Sequence, residues 1–258
     1  MKRLELNFEG KRVLVTGSTM GIGFAIAQAF HAAGATVAIN GRSQKSVEQA
    51  IGKLGGGERL VAAPGDFGST SERNAALGKL LGELGGLDVL VNNAGRGDEC
   101  MLDALTEAEW DKMISLNLKG AFFAIQTCVP ALRESKGCVI NVASALGLIA
   151  GPPGVVLYSI TKSAMVQMTR ALALHLVADG IRVNTLAPGW IDTPMIQGDN
   201  ERSNNALYDY INYSTPLGRI GTPQECAGAV LYLAASFAGF TTGATFSVDG
   251  GISAVQYI

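Results

Sequence analysis

The run Lys11-Arg12-Val13-Leu14-Val15-Thr16, passing at once into Gly17-Ser18-Thr19-Met20-Gly21-Ile22-Gly23, constrains the fold more than any other stretch of this chain. A short apolar run closed by glycine reads as a buried strand. From Gly21 to Ala33 the period changes, and Ile22, Ala25, Ile26, Ala29 and Phe30 fall on one stripe of a helix. The turn between them spells TGxxxGxG rather than GxGxxG, because Thr19 occupies the second glycine's place. The same physics applies to either spelling. Glycines let the backbone approach a pyrophosphate, and the following helix offers free N–H groups and its positive dipole end. Such a turn can also serve tight packing alone, but at the first strand of an αβ series it points to nucleotide binding.

Further strands alternate with helices. Ala35 to Ile39, Arg59 to Ala63, Leu87 to Val91, Cys138 to Ala143, Ile181 to Leu186 and Ala244 to Val248 are apolar runs bounded by turn residues. This pattern predicts a parallel sheet covered by helices on both faces. At the strand carboxyl ends, where open α/β sheets bind ligands, stand Gly17, Asp66-Phe67, Asn93-Ala94-Gly95, Ser144 and Pro188-Gly189. After the second strand comes Asn40-Gly41-Arg42, with no carboxylate to accept from a ribose 2′-hydroxyl. Arg42 instead offers a guanidinium fork suited to a 2′-phosphate, which favours NADP(H) over NAD(H).

Two more features carry chemistry. Thr106 through Arg133 reads as one long helical region with a capping box at Thr106 and Glu109, and Asn117 lies within it although Asn is a poor residue for a helix interior. Tyr158 and Lys162 are spaced to share one face of a helix over Ser159 to Ala178. A cation beside a phenol is expected to lower the phenol's pKa and fit it for acid/base work.

The 258 residues show no linker, repeat or low-complexity break, so one domain over 1–258 is expected. With 48% hydrophobic and 16% charged residues the chain can bury a large core, and its net charge of −2 offers no attraction to nucleic acid or anionic membrane. Mean hydropathy is positive, which suggests apolar surface shared between subunits. Acids at Glu5 and Glu9 interrupt what would be a signal-peptide core, and no apolar run approaches a membrane span. Cys100, Cys128, Cys138 and Cys226 form no CxxC pair, and only His31 and His175 could assist them. Reduced thiols, no metal site and a cytoplasmic location are therefore expected.

Taken together, TGxxxGxG at Gly17, Gly21 and Gly23, NNAG at Asn92 to Gly95, Asn117, Ser144, YxxxK at Tyr158 and Lys162, and Pro188-Gly189 resemble the short-chain dehydrogenase/reductase family from Gly10 to Gly251. The resemblance implies a single-domain Rossmann fold with a seven-stranded parallel sheet, a small-molecule substrate and frequent assembly into homotetramers. It implies that Tyr158 is the general acid for reduction and base for oxidation. Lys162 would hold the nicotinamide ribose, Ser144 the substrate oxygen, and Asn117 a proton-relaying water. By the same resemblance Asp66 would accept from the adenine amino group, Asn93 would line the adenosine ribose, and Ile191 with Thr193 would bind the carboxamide.

The chain departs from the family pattern in three places. Met20 stands where many NADP-preferring members carry a basic residue, Ala143 where a second serine is common, and the Ser144 to Tyr158 interval, whose apolar residues are expected to wall the substrate pocket, is slightly longer than usual and stiffened by Pro152 and Pro153. Substrate choice is expected to lie mostly in a lid at about 195–216, whose Gln197, Asp199, Asn200, Glu201, Arg202, Asn204, Asn205, Tyr208, Tyr210 and Tyr213 either suit a sugar, polyol or hydroxy acid or simply face water. A 3-oxoacyl carrier-protein reductase is the alternative within the class, with Arg133 and Lys136 as docking cations. A non-catalytic nucleotide-binding regulator is the alternative outside it.

Overall fold

The computed structural model describes residues 6–197 and 205–254. Strands β1 (Arg12–Val15), β2 (Thr36–Gly41), β3 (Leu60–Pro64), β4 (Val89–Asn92), β5 (Cys138–Val142), β6 (Arg182–Pro188) and β7 (Thr245–Val248) form one sheet in the order β3-β2-β1-β4-β5-β6-β7. Every neighbouring pair is parallel. The order reverses between β1 and β4, which opens a crevice at their carboxyl ends.

Among the described residues the helices are α1 (Gly21–Ala32), α2 (Gln44–Lys53), α3 (Thr70–Leu84), α4 (Glu107–Ile114), α5 (Ala121–Ser135), α6 (Val156–Leu176), α7 (Pro194–Gln197), α8 (Asn205–Ser214) and α9 (Pro223–Ala234). Side chains alternate across a strand, so the two faces of the sheet receive different residues. Val13, Val15, Val89, Val91 and Ile140 pack with Ile26 and Phe30 of α1 and Val230 and Leu233 of α9. Leu14, Leu90 and Val139 pack on the other face with Leu77 of α3, Ile125 of α5 and Leu176 of α6. Burial on both faces explains why β4 and β5 are buried at every residue and read as continuous apolar runs.

Several boundaries differ from expectation. Strand β2 continues through Asn40 and Gly41, because these still pair with Ala63 and Pro64 of β3. Pro188 ends β6 opposite Val248, a position where its missing N–H is tolerated. Helix α6 starts at Val156, so Tyr158 lies in its first turn rather than before it.

The region from Thr106 to Arg133 is not one regular helix. Ser115–Gly120 is a π-helical turn between α4 and α5. A Cβ at Gly120 would meet the Phe67 carbonyl oxygen at 2.5 Å, so the chain can pass there only with glycine. The capping box is half formed. Thr106 accepts from the Glu109 N–H, but the Glu109 carboxylate pairs with Arg96 and Lys112 instead of returning to the cap.

No described helix is long and apolar enough to cross a membrane. No described group of three or more His, Cys, Asp or Glu is placed to hold a metal ion. The four cysteines are free, and burial pushes the thiols of Cys128 and Cys226 up to about 12. The expected lid at 195–216 falls partly outside the described residues, as do Asp199, Asn200, Glu201, Arg202 and Asn204.

Candidate active site

The turn after β1 is held by side chains that bond its backbone. The Thr16 hydroxyl accepts from the N–H groups of Asn93 and Ala94, both at 2.9 Å. The Asn93 amide donates to the carbonyls of Thr16 and Gly17 at 2.9 and 3.0 Å. From the other side, Asn40 accepts from the Gly17 N–H and donates to Ala63 and Gly65, tying the ends of β1, β2 and β3 together. Gly17 has a φ of +62°, and a Cβ on it would lie 2.8 Å from Ala94 Cα. A Cβ on Gly23 would lie 2.4 Å from both Asn93 Nδ2 and the Gly17 carbonyl. Thr16 and Asn40 went unassigned in the sequence, although both flank recognisable motifs.

The residues present fit a dinucleotide. Ser43, Ser69, Thr106 and Thr222 cap α2, α3, α4 and α9 through their side chains. Helix α1 instead has the exposed Met20 at its cap, with no side-chain bond and no acid in its first turn. Its N-terminal N–H groups thus lack a side-chain cap, as an anion site requires. Arg42 is exposed just past β2 and makes no ion pair among the described residues.

Not every expected contact faces the crevice. Ser18 is fully buried; its N–H donates to the Asn40 carbonyl and its hydroxyl to Val15, so it shapes the turn from inside. The ring of Phe67 belongs to the core beside Leu77 and Ala124. One carboxylate oxygen of Asp66 accepts from the Gly68 N–H at 2.8 Å. Gly41 is required by packing, since a Cβ there would meet Thr19 Cγ2 at 2.5 Å.

The chemistry-bearing side chains converge. Lys162 Nζ donates to the Val142 carbonyl at 2.9 Å and lies 5.5 Å from the centre of the Tyr158 ring. Tyr158 is hydrogen-bonded to the Ser144 side chain. Asn117, fully buried in the π-helical turn, accepts from the Arg96 N–H and donates to the Arg96 carbonyl, both at 2.9 Å. Its amide also reaches Thr161 on α6, whose hydroxyl donates to the Tyr158 carbonyl at 2.7 Å. A Cβ on Gly95 would lie 3.3 Å from Asn117 Oδ1 and 3.5 Å from Lys162 Nζ, which brings β4, the π turn and α6 to one point.

The expected fall in the phenol pKa is corrected by the structure. Burial raises the Tyr158 pKa above the usual phenol value, and the Ser144 hydrogen bond only opposes that rise. Burial depresses the pKa of Lys162 in turn, to about 8.

A cavity of about 380 Å³ opens onto Ser144, Tyr158 and Lys162. Ile22, Asn93, Gly95, Pro188, Gly189, Ile191 and Thr193 reach it from the crevice side, whereas Gly17, Thr19, Met20, Gly21, Gly23, Arg42, Asp66 and Ala94 do not line it. Trp190, directly after Pro188-Gly189, lines it and had no signal of its own in the sequence.

A nucleotide crevice at the sheet switch point, beside a buried Tyr/Lys/Ser cluster, defines a Rossmann-type oxidoreductase. A family model described as Enoyl-(Acyl carrier protein) reductase matches residues 17–253. The 3-oxoacyl-[acyl-carrier-protein] reductase of Chlamydia muridarum is 36% identical over 247 residues, covering 94% of this chain and 97% of that one. A putative gluconate dehydrogenase from Agrobacterium tumefaciens has a TM-score of 0.91 at 31% identity, covering 98% and 100% of the two chains. A gluconate 5-dehydrogenase from Burkholderia cenocepacia, solved with NADP and tartrate, has a TM-score of 0.89 at 29% identity, covering 97% and 98%. The chain belongs to the short-chain dehydrogenase/reductase family and is an NAD(P)-dependent oxidoreductase.

Proposed function

We propose that this enzyme interconverts a carbonyl and a secondary alcohol with NADP(H) preferred over NAD(H), Tyr158 being the general acid/base. The observation that carries this is the convergence of Ser144, Tyr158 and Lys162 on one cavity, with the buried Asn117 meeting Lys162 beside Gly95. A bound nicotinamide would supply the hydride chemistry, to the carbonyl carbon in reduction and from it in oxidation. As negative charge builds on the carbonyl oxygen, the Tyr158 phenol gives it a proton and Ser144 donates a hydrogen bond to it. A phenol raised by burial is held protonated, which suits the acid role.

Lys162 and the turn Gly17–Gly23 would hold the cofactor, with Arg42 on its 2′-phosphate and Ile191 and Thr193 beside the carboxamide. Asn117 fixes the Arg96 backbone and, through Thr161, the first turn of α6, besides any water it anchors. A cytoplasmic homotetramer belongs to the same reading. The experiment is a 340 nm assay of alcohols, ketones and oxoacyl thioesters with both cofactors, on wild type and Arg42→Ala. NADPH is expected to bind about tenfold more tightly than NADH, and Arg42→Ala to erase the difference. Equal affinities in the wild type would refute the role of Arg42.

A second reading is a 3-oxoacyl carrier-protein reductase, favoured by the Chlamydia relative. Against it, Arg133 is engaged by Asp179 through two 2.8 Å bonds, leaving it less free to dock an acidic carrier.

A further inference from the structure

The cavity wall around the reacting group comes from three segments. The loop between β5 and α6 gives Leu146, Ile149 and Pro152, the loop after β6 gives Trp190 and Met195, and α8 gives Tyr210. The Trp190 and Tyr210 rings meet edge to face, with centres 6.3 Å apart and planes at 81°. Among the described residues Lys162 is the one charged side chain on this wall, and its ammonium is tied to the Val142 carbonyl.

Two of the other polar side chains on the wall are engaged within the fold. The Asn93 amide donates to the glycine turn, and the Ser214 hydroxyl donates to the Ile211 carbonyl. Among the described residues a buried carboxylate finds no guanidinium on this wall, and the several hydroxyls of a sugar would have to share the few polar groups of Ser144, Tyr158, Thr193, Trp190 and Tyr210. Edge-to-face aromatic rings and aliphatic side chains instead favour a flat apolar group.

Resting on the oxidoreductase reading above, we propose that the reacting carbon carries an uncharged, apolar, aryl-sized substituent. The substrates are then neutral ketones and secondary alcohols of that kind, not polyhydroxy acids, in contrast to what the gluconate dehydrogenases of the same fold are named for. Trp190 and Tyr210 determine that choice.

The full chain is assayed with NADP⁺ on 1-phenylethanol, 2-propanol and gluconate, and NADPH fluorescence is titrated with acetophenone. The expected kcat/KM for 1-phenylethanol exceeds that for gluconate by at least about 100-fold. Trp190→Ala should cut the 1-phenylethanol value about tenfold while leaving that for 2-propanol within about twofold. Ile149→Arg, which places a cation on the wall, should narrow the gap to gluconate, and serves if the Trp190 variant does not fold.

Gluconate turned over as well as 1-phenylethanol would overturn the substrate class and leave the oxidoreductase reading standing. No turnover of any alcohol would count against that reading itself. Acetophenone binding to the NADPH complex would then still support the apolar pocket, and its absence would overturn it.

Discussion

The two ends of this site are built on different principles. At the cofactor end, Thr16, Asn40 and Asn93 bond backbone groups of β1, β2, β3 and β4, so the turn's shape is set by buried hydrogen bonds between strand ends. At the substrate end, Leu146, Ile149, Trp190 and Tyr210 come from two loops and a helix, and what they share is apolar surface. The first end tolerates almost no change of shape, because a Cβ has nowhere to go at Gly17 or Gly23. The second can be re-lined without moving the sheet. A common scaffold with a fixed nucleotide end and a variable substrate end is what loops on a rigid sheet allow.

Gly23→Ala should break the cofactor end most severely. The new Cβ meets Asn93 Nδ2 and the Gly17 carbonyl at 2.4 Å, so the turn must open. NADPH affinity, measured by fluorescence titration, should fall about 100-fold, with a stability loss of about 1–3 kcal/mol in urea unfolding.

Asn40→Ala tests the strut rather than the turn. It removes bonds to Gly17, Ala63 and Gly65 at a site 2% exposed, and should cost about 2–3 kcal/mol in urea unfolding. The preference among substrates should not move, since no atom of the substrate wall is touched. A changed ratio of kcat/KM between two alcohols would show that the two ends are coupled.

Lys162→Met gives the smallest effect on stability, and its sign is opposite. Burial lowers the Lys162 pKa from 10.5 to about 8, so the folded state carries a penalty below pH 8 on the order of 3 kcal/mol, and stability rises as pH climbs from about 8 towards 10.5. Removing the ammonium relieves that penalty but strips the Val142 carbonyl of its donor, at about 1–2 kcal/mol. The variant should therefore be about 1–2 kcal/mol more stable than wild type at pH 7, with the gain shrinking by pH 10 in thermal unfolding, while turnover is lost. Equal stability across that range would show that the ammonium is solvated.

The strand, glycine turn and helix of the first end were legible in the sequence because their signals are local. A strand, a glycine turn and a helix follow each other within Lys11 to Ala33, and the order of Asn117, Ser144, Tyr158 and Lys162 is a one-dimensional pattern. What escaped depends on neighbours distant in the chain. Ser18 looks like a phosphate contact until Asn40 and Val15 are seen to occupy it. The π turn around Asn117 rests on the Arg96 backbone and the close approach of Phe67 to Gly120.

The direction of the Tyr158 shift is likewise a matter of burial, which a YxxxK spacing does not contain. The substrate end is legible only in part. The apolar interval between Ser144 and Tyr158 is a local signal for a pocket wall, whereas Trp190, Met195 and Tyr210 join that wall from distant parts of the chain.

The central claim is that Tyr158 moves the proton where the two ends meet, and Tyr158→Phe tests it most directly because the ring and its packing remain. With the best substrate found, kcat should fall by about 10²–10⁴, while NADPH affinity measured by fluorescence stays within about threefold of wild type. Turnover equal to wild type, with cofactor still bound, would contradict the account.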